Sequence, residues 1–265
     1  MKVSCKYIVA LTLSLLISGC GDSSPKPDHD KDINPDVVIP GEPYIILIGD
    51  SIAEGHPLLH GRLHPNNGVA YDPDYKSEPG QLSYEFSQHF QVPVINHGIG
   101  GNTTKMVRER WARDVLHQSY DPGDGRGDKT MDFEGQIPYA VYLHVGINDV
   151  NQEVPIDEIK NNFVFFAESA KDNNIKLIID NVGAYRSYTV EKETVARELN
   201  GWLYGQYFSM YPEVELIDYL GWSNGFSGDY WTLNPGKFHD TVHPNKVGYT
   251  DFALFVSKQI TTKFK

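Results

Sequence analysis

The chain has 265 residues, a formal net charge of −12 and only two cysteines, Cys5 and Cys20. An acidic chain without a basic patch lacks the cations that displace counterions from nucleic acid, so nucleic acid is not an expected partner. Two cysteines this close to the N-terminus exclude a disulfide framework or a cysteine metal centre in the body of the chain. The domain must therefore rely on its hydrophobic core.

Residues 1–20 are predicted to be an export signal. A short cationic start precedes the apolar run 7–17, which is too short to span a bilayer. Small residues then lead into Cys20, an arrangement that resembles the cleavage box of bacterial lipoproteins. Cys20 is therefore the predicted lipidation site, with the protein held by a lipid anchor in the bacterial cell envelope, at the outer membrane or cell surface. An ordinary secretory signal that contains a cysteine is the alternative.

Residues 21–42 are rich in Pro, Asp and Ser, which predicts a flexible tether, and residues 43–265 are predicted to form one domain. Apolar runs alternate with amphipathic stretches along this domain. Strands are predicted at 44–48, 92–95, 140–145, 175–179 and 214–217, and helices at about 80–90, 103–118, 156–173, 190–210 and 245–260. Strands separated by helices predict an α/β fold with a parallel sheet, whose sites lie beyond the carboxyl ends of the strands.

The first three predicted strands end in polar motifs. Gly49-Asp50-Ser51 follows the first strand, where a serine can present its hydroxyl above the sheet; alone, the tripeptide could equally be a helix N-cap. The second strand runs into the glycine-rich segment 96–103, and the third into Gly146-Ile147-Asn148-Asp149. A glycine N–H and an Asn amide can both donate to an oxyanion, although a plain turn is the alternative for each segment.

The C-terminal part of the chain adds a histidine and a carboxylate. His243 can take a serine proton, and Asp240, three residues earlier, can accept a hydrogen bond from the other ring nitrogen. Taken alone, this pair also fits a solvated loop before a helix that Asn245 caps.

In this order and spacing, the four motifs resemble the SGNH hydrolase superfamily, also called GDSL-type esterases and lipases. The resemblance covers about residues 44–260 and implies a three-layer α/β/α sandwich with a five-stranded parallel sheet, as in flavodoxin-like folds. It implies Ser51 as nucleophile, His243 as base and Asp240 as the residue that orients the base. It also implies the Ser51 N–H, Gly101 and Asn148 as oxyanion-hole donors.

Two positions depart from the family pattern. Ile52 stands where the motif has Leu, which is a conservative change. Asn102 stands where many members have Asp, and this change concerns helix capping rather than the donor role of Gly101.

The resemblance implies a serine carboxylic-ester hydrolase that works through an acyl-enzyme, with no cofactor and no metal. No long apolar lid is visible, so the expected substrate is a short, acetyl-like ester of a carbohydrate or another polar alcohol. Two alternatives stay open: a surface-anchored glycan-binding protein with an inactive triad, and an acyltransferase. The aromatic residues before Asp240 suit either sugar rings or the core. They are Trp222, Phe226, Tyr230, Trp231 and Phe238.

Other polar segments have plainer expected roles. His97, His144 and His239 lack metal-ligand spacing and are expected to be core or supporting histidines. The stretch 54–80 is expected to overhang the site, and 121–128 is expected to be a solvated loop rather than a calcium loop.

Overall fold

The computed structural model describes residues 33–58, 76–119 and 136–264. The predicted signal segment with Cys20, the first part of the predicted tether, most of the stretch 54–80 and the segment 121–128 lie outside these residues. Within the described part of the chain, no helix is both long enough and apolar enough to cross a membrane.

In the part of the chain that the structure describes, five parallel strands form the sheet. They are β1 (Ile45–Gly49), β2 (Val94–Gly98), β3 (Ala140–His144), β4 (Lys176–Asp180) and β5 (Glu215–Ile217). Their spatial order is β2-β1-β3-β4-β5, so the chain steps outward from β1 to β2 and then crosses back to β3. The carboxyl ends of these three strands therefore flank a topological switch point, where ligands bind in such sheets. The predicted parallel sheet is confirmed, with every strand within three residues of its predicted bounds.

Helices connect the strands. They are α1 (Ser51–Glu54), α2 (Leu82–Phe90), α3 (Thr104–Asp114), α4 (Ile147–Asn151), α5 (Ile156–Asp172), α6 (Val190–Trp202), α7 (Phe208–Met210), α8 (Tyr219–Ser223) and α9 (Lys246–Gln259), with a π-helical stretch, Leu203–Tyr207, between α6 and α7. The longer helices match the predicted ones. The sequence pattern did not reveal α1, α4 and α8, because one turn of helix is shorter than the window in which a helical period can be recognised.

The strand side chains alternate between two hydrophobic layers. Ile46 and Ile48 pack on the side of α3, α5 and α6, whereas Ile45 and Leu47 pack on the side of α2 and α9. Every residue of β1 is buried because helices cover both faces, which explains why its sequence is a continuous apolar run. This three-layer α/β/α arrangement confirms the predicted fold class.

The compact unit begins earlier than the expected domain boundary at residue 43. It starts at Ile33, and the Pro35 carbonyl accepts a hydrogen bond from the Val94 N–H at 3.1 Å. The Ser77 N–H donates to the Asp36 carboxylate at 2.8 Å. Because β2 is an edge strand, a chain segment that pairs with it covers part of its open edge. Residues 33–42 are therefore part of the folded unit.

Candidate active site

Ser51 is the first residue of α1, directly after β1. The preceding residue caps this helix, because the Asp50 carboxylate accepts a hydrogen bond from the Ile52 N–H at 2.9 Å. The Ser51 hydroxyl is thus not the cap, and its Oγ lies 2.8 Å from His243 Nε2 instead. Gly49 allows the end of β1 to lie this close to β3, because a Cβ there would lie 1.8 Å from the carbonyl oxygen at the end of β3.

His243 and Asp240 lie on the loop that leads into α9. His243 Nδ1 is 2.8 Å from Asp240 Oδ2, and Asp240 Oδ1 accepts the backbone N–H groups of Val242 and His243, each at 2.8 Å. Asn245 caps α9, as expected, and so holds the C-terminal end of the loop. Ser51, His243 and Asp240 thereby form one continuous chain of hydrogen bonds.

The carboxyl group of Asp240 is held in its ionised form. Partial burial raises its pKa, but hydrogen bonds from the His243 N–H, the His243 ring and the Val242 N–H outweigh burial and lower the pKa to about 2. A permanently ionised carboxylate favours a hydrogen on Nδ1 of the facing imidazole. The other ring nitrogen, Nε2, can then accept the hydrogen of the Ser51 hydroxyl.

A tight turn after β2 lies beside Ser51. The Asn102 N–H donates to the Ile99 carbonyl at 3.2 Å, and Gly101, the third residue of this turn, has φ +79°, the left-handed conformation that a type II turn requires. A Cβ on Gly100 would lie 3.8 Å from the Ser51 Cβ. Both glycines are exposed, so the turn brings backbone without side chains to Ser51.

Asn148, on α4, contacts the same turn. Its Nδ2 donates one hydrogen to the Asn102 carbonyl at 3.1 Å, and an amide has a second hydrogen to offer. The next residue, Asp149, is buried and accepts hydrogen bonds from the Thr104 N–H and hydroxyl. This contact fastens the start of α3 to α4, and so fixes the glycine turn relative to the Asn148 amide.

Sequence reasoning missed Arg110, a buried residue of α3 that links these segments. Its guanidinium donates to the Gly49 carbonyl at 3.0 Å, to the His97 carbonyl at 2.8 Å and to the Asn102 side chain at 2.9 Å. The Asp114 carboxylate compensates the positive charge of Arg110, with Asp114 Oδ2 2.6 Å from Arg110 Nη1. An arginine on an amphipathic helix is usually exposed, so the sequence holds no signal that separates this buried one from its neighbours.

The departure from the family pattern at Asn102 does not act through helix capping. Thr103 is the N-cap of α3, and its hydroxyl accepts from the Met106 N–H. The Asn102 side chain is instead an acceptor for Arg110. The capping expectation for Asn102 is therefore wrong, because the residue lies one position before the cap.

A buried group of ionisable residues lies at the carboxyl ends of β3 and β4. His144, at the end of β3, pairs with Asp180 at the end of β4, and the Tyr142 hydroxyl donates to the same carboxylate. Burial lowers the pKa of His144, but the facing Asp180 charge outweighs burial and raises it. His97 is also buried, with Nδ1 3.1 Å from the Asp114 carbonyl, whereas His239 is exposed.

The five aromatic residues before Asp240 divide between the core and the surface. Trp222 and Tyr230 are buried in the core, whereas Phe226 and Trp231 are exposed. Phe238 is half-buried and lines a cavity of about 300 Å³ beside Asp240. The other lining residues are Arg186, Leu233, Asn234, Pro235, Gly236, His239 and Thr241.

Comparisons with known proteins identify the family. Solved structures with this fold include a mutant acetyl-xylooligosaccharide esterase from Geobacillus, with TM-score 0.57 and 20% identity over 88% of this chain and 98% of that chain. A GDSL-like lipase from Bacteroides thetaiotaomicron has TM-score 0.55 and 19% identity over 83% of this chain and 89% of that chain. An acetyl xylan esterase has TM-score 0.54 and 18% identity over 82% of this chain and 99% of that chain. The curated proteins give no match. The sequence profile of the GDSL-like lipase/acylhydrolase family matches residues 47–250, and the chain belongs to that family.

Proposed function

We propose that this acylhydrolase is a serine carboxylic-ester hydrolase that removes a short acyl group, such as acetyl, from a carbohydrate or another polar alcohol. One observation carries the proposal. Ser51 Oγ, the His243 ring and the Asp240 carboxylate form a hydrogen-bonded chain with both contacts at 2.8 Å. Acyl transfer to serine requires a nucleophile, a base that takes its proton and an acid that orients the base, linked by hydrogen bonds in this order.

In the first half-reaction, His243 Nε2 takes the Ser51 proton as Oγ bonds to the ester carbonyl carbon. Ionised Asp240 stabilises the imidazolium that forms. The carbonyl π electrons move to oxygen, and the resulting charge is held by the backbone N–H groups of Ser51 and Gly101 and by the free amide hydrogen of Asn148. The C–O bond to the alcohol then breaks, and the leaving oxygen takes the proton from His243.

Water completes the cycle. His243 deprotonates a water molecule as the water oxygen attacks the acyl-serine carbonyl. The bond to Ser51 Oγ then breaks, His243 returns the proton to Oγ, and the carboxylic acid leaves. An alcohol in place of water would make the protein an acyltransferase. The ratio of released acetate to transferred acetyl, measured with a sugar acceptor present, distinguishes the two reactions.

A polar alcohol is supported by the cavity beside Asp240. Phe238 and Leu233 give it an apolar wall, while Asn234 and Arg186 bring hydrogen-bond donors. A sugar ring has apolar faces and a polar rim, and such a mixed lining suits it. Two structures with the same fold are an acetyl-xylooligosaccharide esterase and an acetyl xylan esterase.

The test is Ser51→Ala, with Ser257→Ala on α9 as the matched control. Turnover of p-nitrophenyl acetate is expected to fall by about 10⁶-fold in Ser51→Ala, as in other serine hydrolases that lose the nucleophile, and to stay unchanged in the control. A fluorophosphonate probe should label wild type and fail to label Ser51→Ala. Undiminished turnover refutes the proposal, and absent labelling of wild type favours a glycan-binding protein with an inactive triad.

For localisation, we propose that Cys20 carries a lipid and holds the enzyme in the bacterial cell envelope. The small residues before Cys20 at the end of the apolar run support this site. Metabolic labelling with a fatty-acid analogue should mark the wild type and spare Cys20→Ser. Equal labelling of both proteins contradicts the proposal.

A further inference from the structure

We propose that His56, Asp240 and His243 form a binding site for Zn²⁺ or a similar divalent transition metal, and that the bound ion inhibits the enzyme by occupying the catalytic base. The inhibition rests on the proposed function, whereas metal binding itself does not. The site adjoins Ser51 and lies at the surface, since His56 and Asp240 are exposed.

The three side chains are close enough to share one ion. One ligand atom from each of the three lies within 4.8 Å of the others, and the His56 and His243 ring centroids are 4.3 Å apart. With metal–ligand bonds of about 2.0–2.1 Å, neighbouring ligands in a tetrahedral zinc site lie about 3.4 Å apart. The most widely separated pair of ligand atoms must therefore approach by about 1.4 Å at most, a shift that rotation of the exposed His56 ring can supply.

The backbone that presents these ligands is already held in place. The His56 N–H donates to the Ser51 carbonyl at 3.0 Å, and the His56 carbonyl accepts from the buried Tyr249 hydroxyl at 2.7 Å. Two N–H groups of its own loop fix the Asp240 carboxylate. Ligands presented by fixed backbone lose less conformational entropy when the ion binds.

The donor set selects among cations. Two imidazole nitrogens and one carboxylate, with water in the fourth position, suit Zn²⁺, Cu²⁺ and Ni²⁺, whereas Ca²⁺ and Mg²⁺ prefer oxygen ligands throughout. Asp240 brings a carboxylate to the site, and the whole chain carries a formal net charge of −12. The resulting negative potential attracts cations.

Ligation by His243 is incompatible with its role as a base. Its Nε2 faces Ser51 Oγ and its Nδ1 faces Asp240 Oδ2, each at 2.8 Å. An ion on Nε2 takes the lone pair that would accept the serine proton. An ion on Nδ1 displaces the hydrogen bond that orients the ring. Both arrangements stop turnover, so the predicted inhibition does not depend on which nitrogen binds.

Calorimetric titration of Zn²⁺ into the metal-stripped full chain tests the site. The variant is His56→Ala, and the matched control is His239→Ala, which removes an exposed histidine that neighbours Asp240 on its loop but lies outside the ligand set. Zinc affinity is expected to fall at least about 10-fold in His56→Ala and to stay unchanged in His239→Ala. Equal affinities of wild type and His56→Ala overturn the proposal, since histidines elsewhere in the chain contribute equally to both proteins.

The rate of p-nitrophenyl acetate hydrolysis is the second measurement. Zn²⁺ should inhibit wild type reversibly, with recovery on addition of EDTA, and Ca²⁺ at the same concentration should not inhibit. The half-inhibitory Zn²⁺ concentration should rise at least about 10-fold in His56→Ala, each protein being compared with its own zinc-free rate. An unchanged value overturns the inhibitory role. If neither protein hydrolyses the ester, the proposed function fails, and the titration still decides on the metal site.

Discussion

Replacement of Arg110 by lysine is expected to lower turnover while the domain stays folded. The wild-type guanidinium reaches four acceptors, among them the Gly49 carbonyl, two residues before Ser51, and the Asn102 side chain beside the glycine turn. Lysine keeps the charge that faces Asp114. Its hydrogens all leave from one nitrogen, however, so it cannot span acceptors that the planar fork of arginine reaches together.

The size of the effect follows from these contacts. At least two of the four hydrogen bonds are lost in Arg110→Lys, and a bond that involves a charged group contributes about 1.5–3 kcal/mol. The free energy of unfolding should therefore fall by about 3 kcal/mol or more. A displacement of about 1 Å in a catalytic group can cost about 100-fold in rate, so a 10- to 100-fold lower kcat is expected.

Steady-state hydrolysis of p-nitrophenyl acetate and urea unfolding, run on the same preparations, measure both effects. The matched control is Arg108→Lys, on the same helix, where the exposed arginine binds only the Asn162 side chain and the Phe165 ring among the described residues. Asn102→Ala removes one Arg110 bond and should give an intermediate loss. The reasoning is refuted if folded Arg110→Lys keeps the wild-type kcat, or if Arg108→Lys loses as much.

Three further predictions concern Asp240, the buried carboxyl group of Asp149 and the cavity. Asp240→Asn offers an N–H to His243 Nδ1, which moves the ring hydrogen to Nε2, so kcat for p-nitrophenyl acetate should fall about 10⁴-fold; a loss below tenfold contradicts the assigned role. Burial raises the pKa of Asp149 to about 6, above the value of about 3.9 in an unfolded chain. The free energy of unfolding should therefore rise by up to about 3 kcal/mol as pH falls from above 6 to below 4, and fall again as pH rises. Asp149→Asn lacks this gain, so parallel stability–pH curves from urea unfolding of the two proteins would contradict the prediction. Phe238→Ala should raise KM for an acetylated disaccharide more than KM for p-nitrophenyl acetate, because only the sugar fills the cavity; equal increases argue against a sugar site.

Much of the fold could be predicted from the sequence alone. The run Ile45–Gly49 is apolar throughout because both faces of a central parallel strand are covered, and that pattern survives in the sequence without any knowledge of the partners. The alternation of such runs with amphipathic helices determined the fold class. Since the carboxyl ends of parallel strands meet at one edge, the sequence also determined that Ser51, Gly101 and Asn148 would lie on the same side of the sheet.

Only the tertiary structure decided how the site is held and what lies beside it. Arg110 contacts a carbonyl 61 positions earlier in the chain, and Ser51 meets His243 across 192 positions. Local periodicity carries no information about such contacts, because a residue's spacing to its neighbours is the same whether its side chain meets a distant strand end or water. For the same reason, His56 is one polar residue in the sequence, and only folding brings its ring next to that of His243.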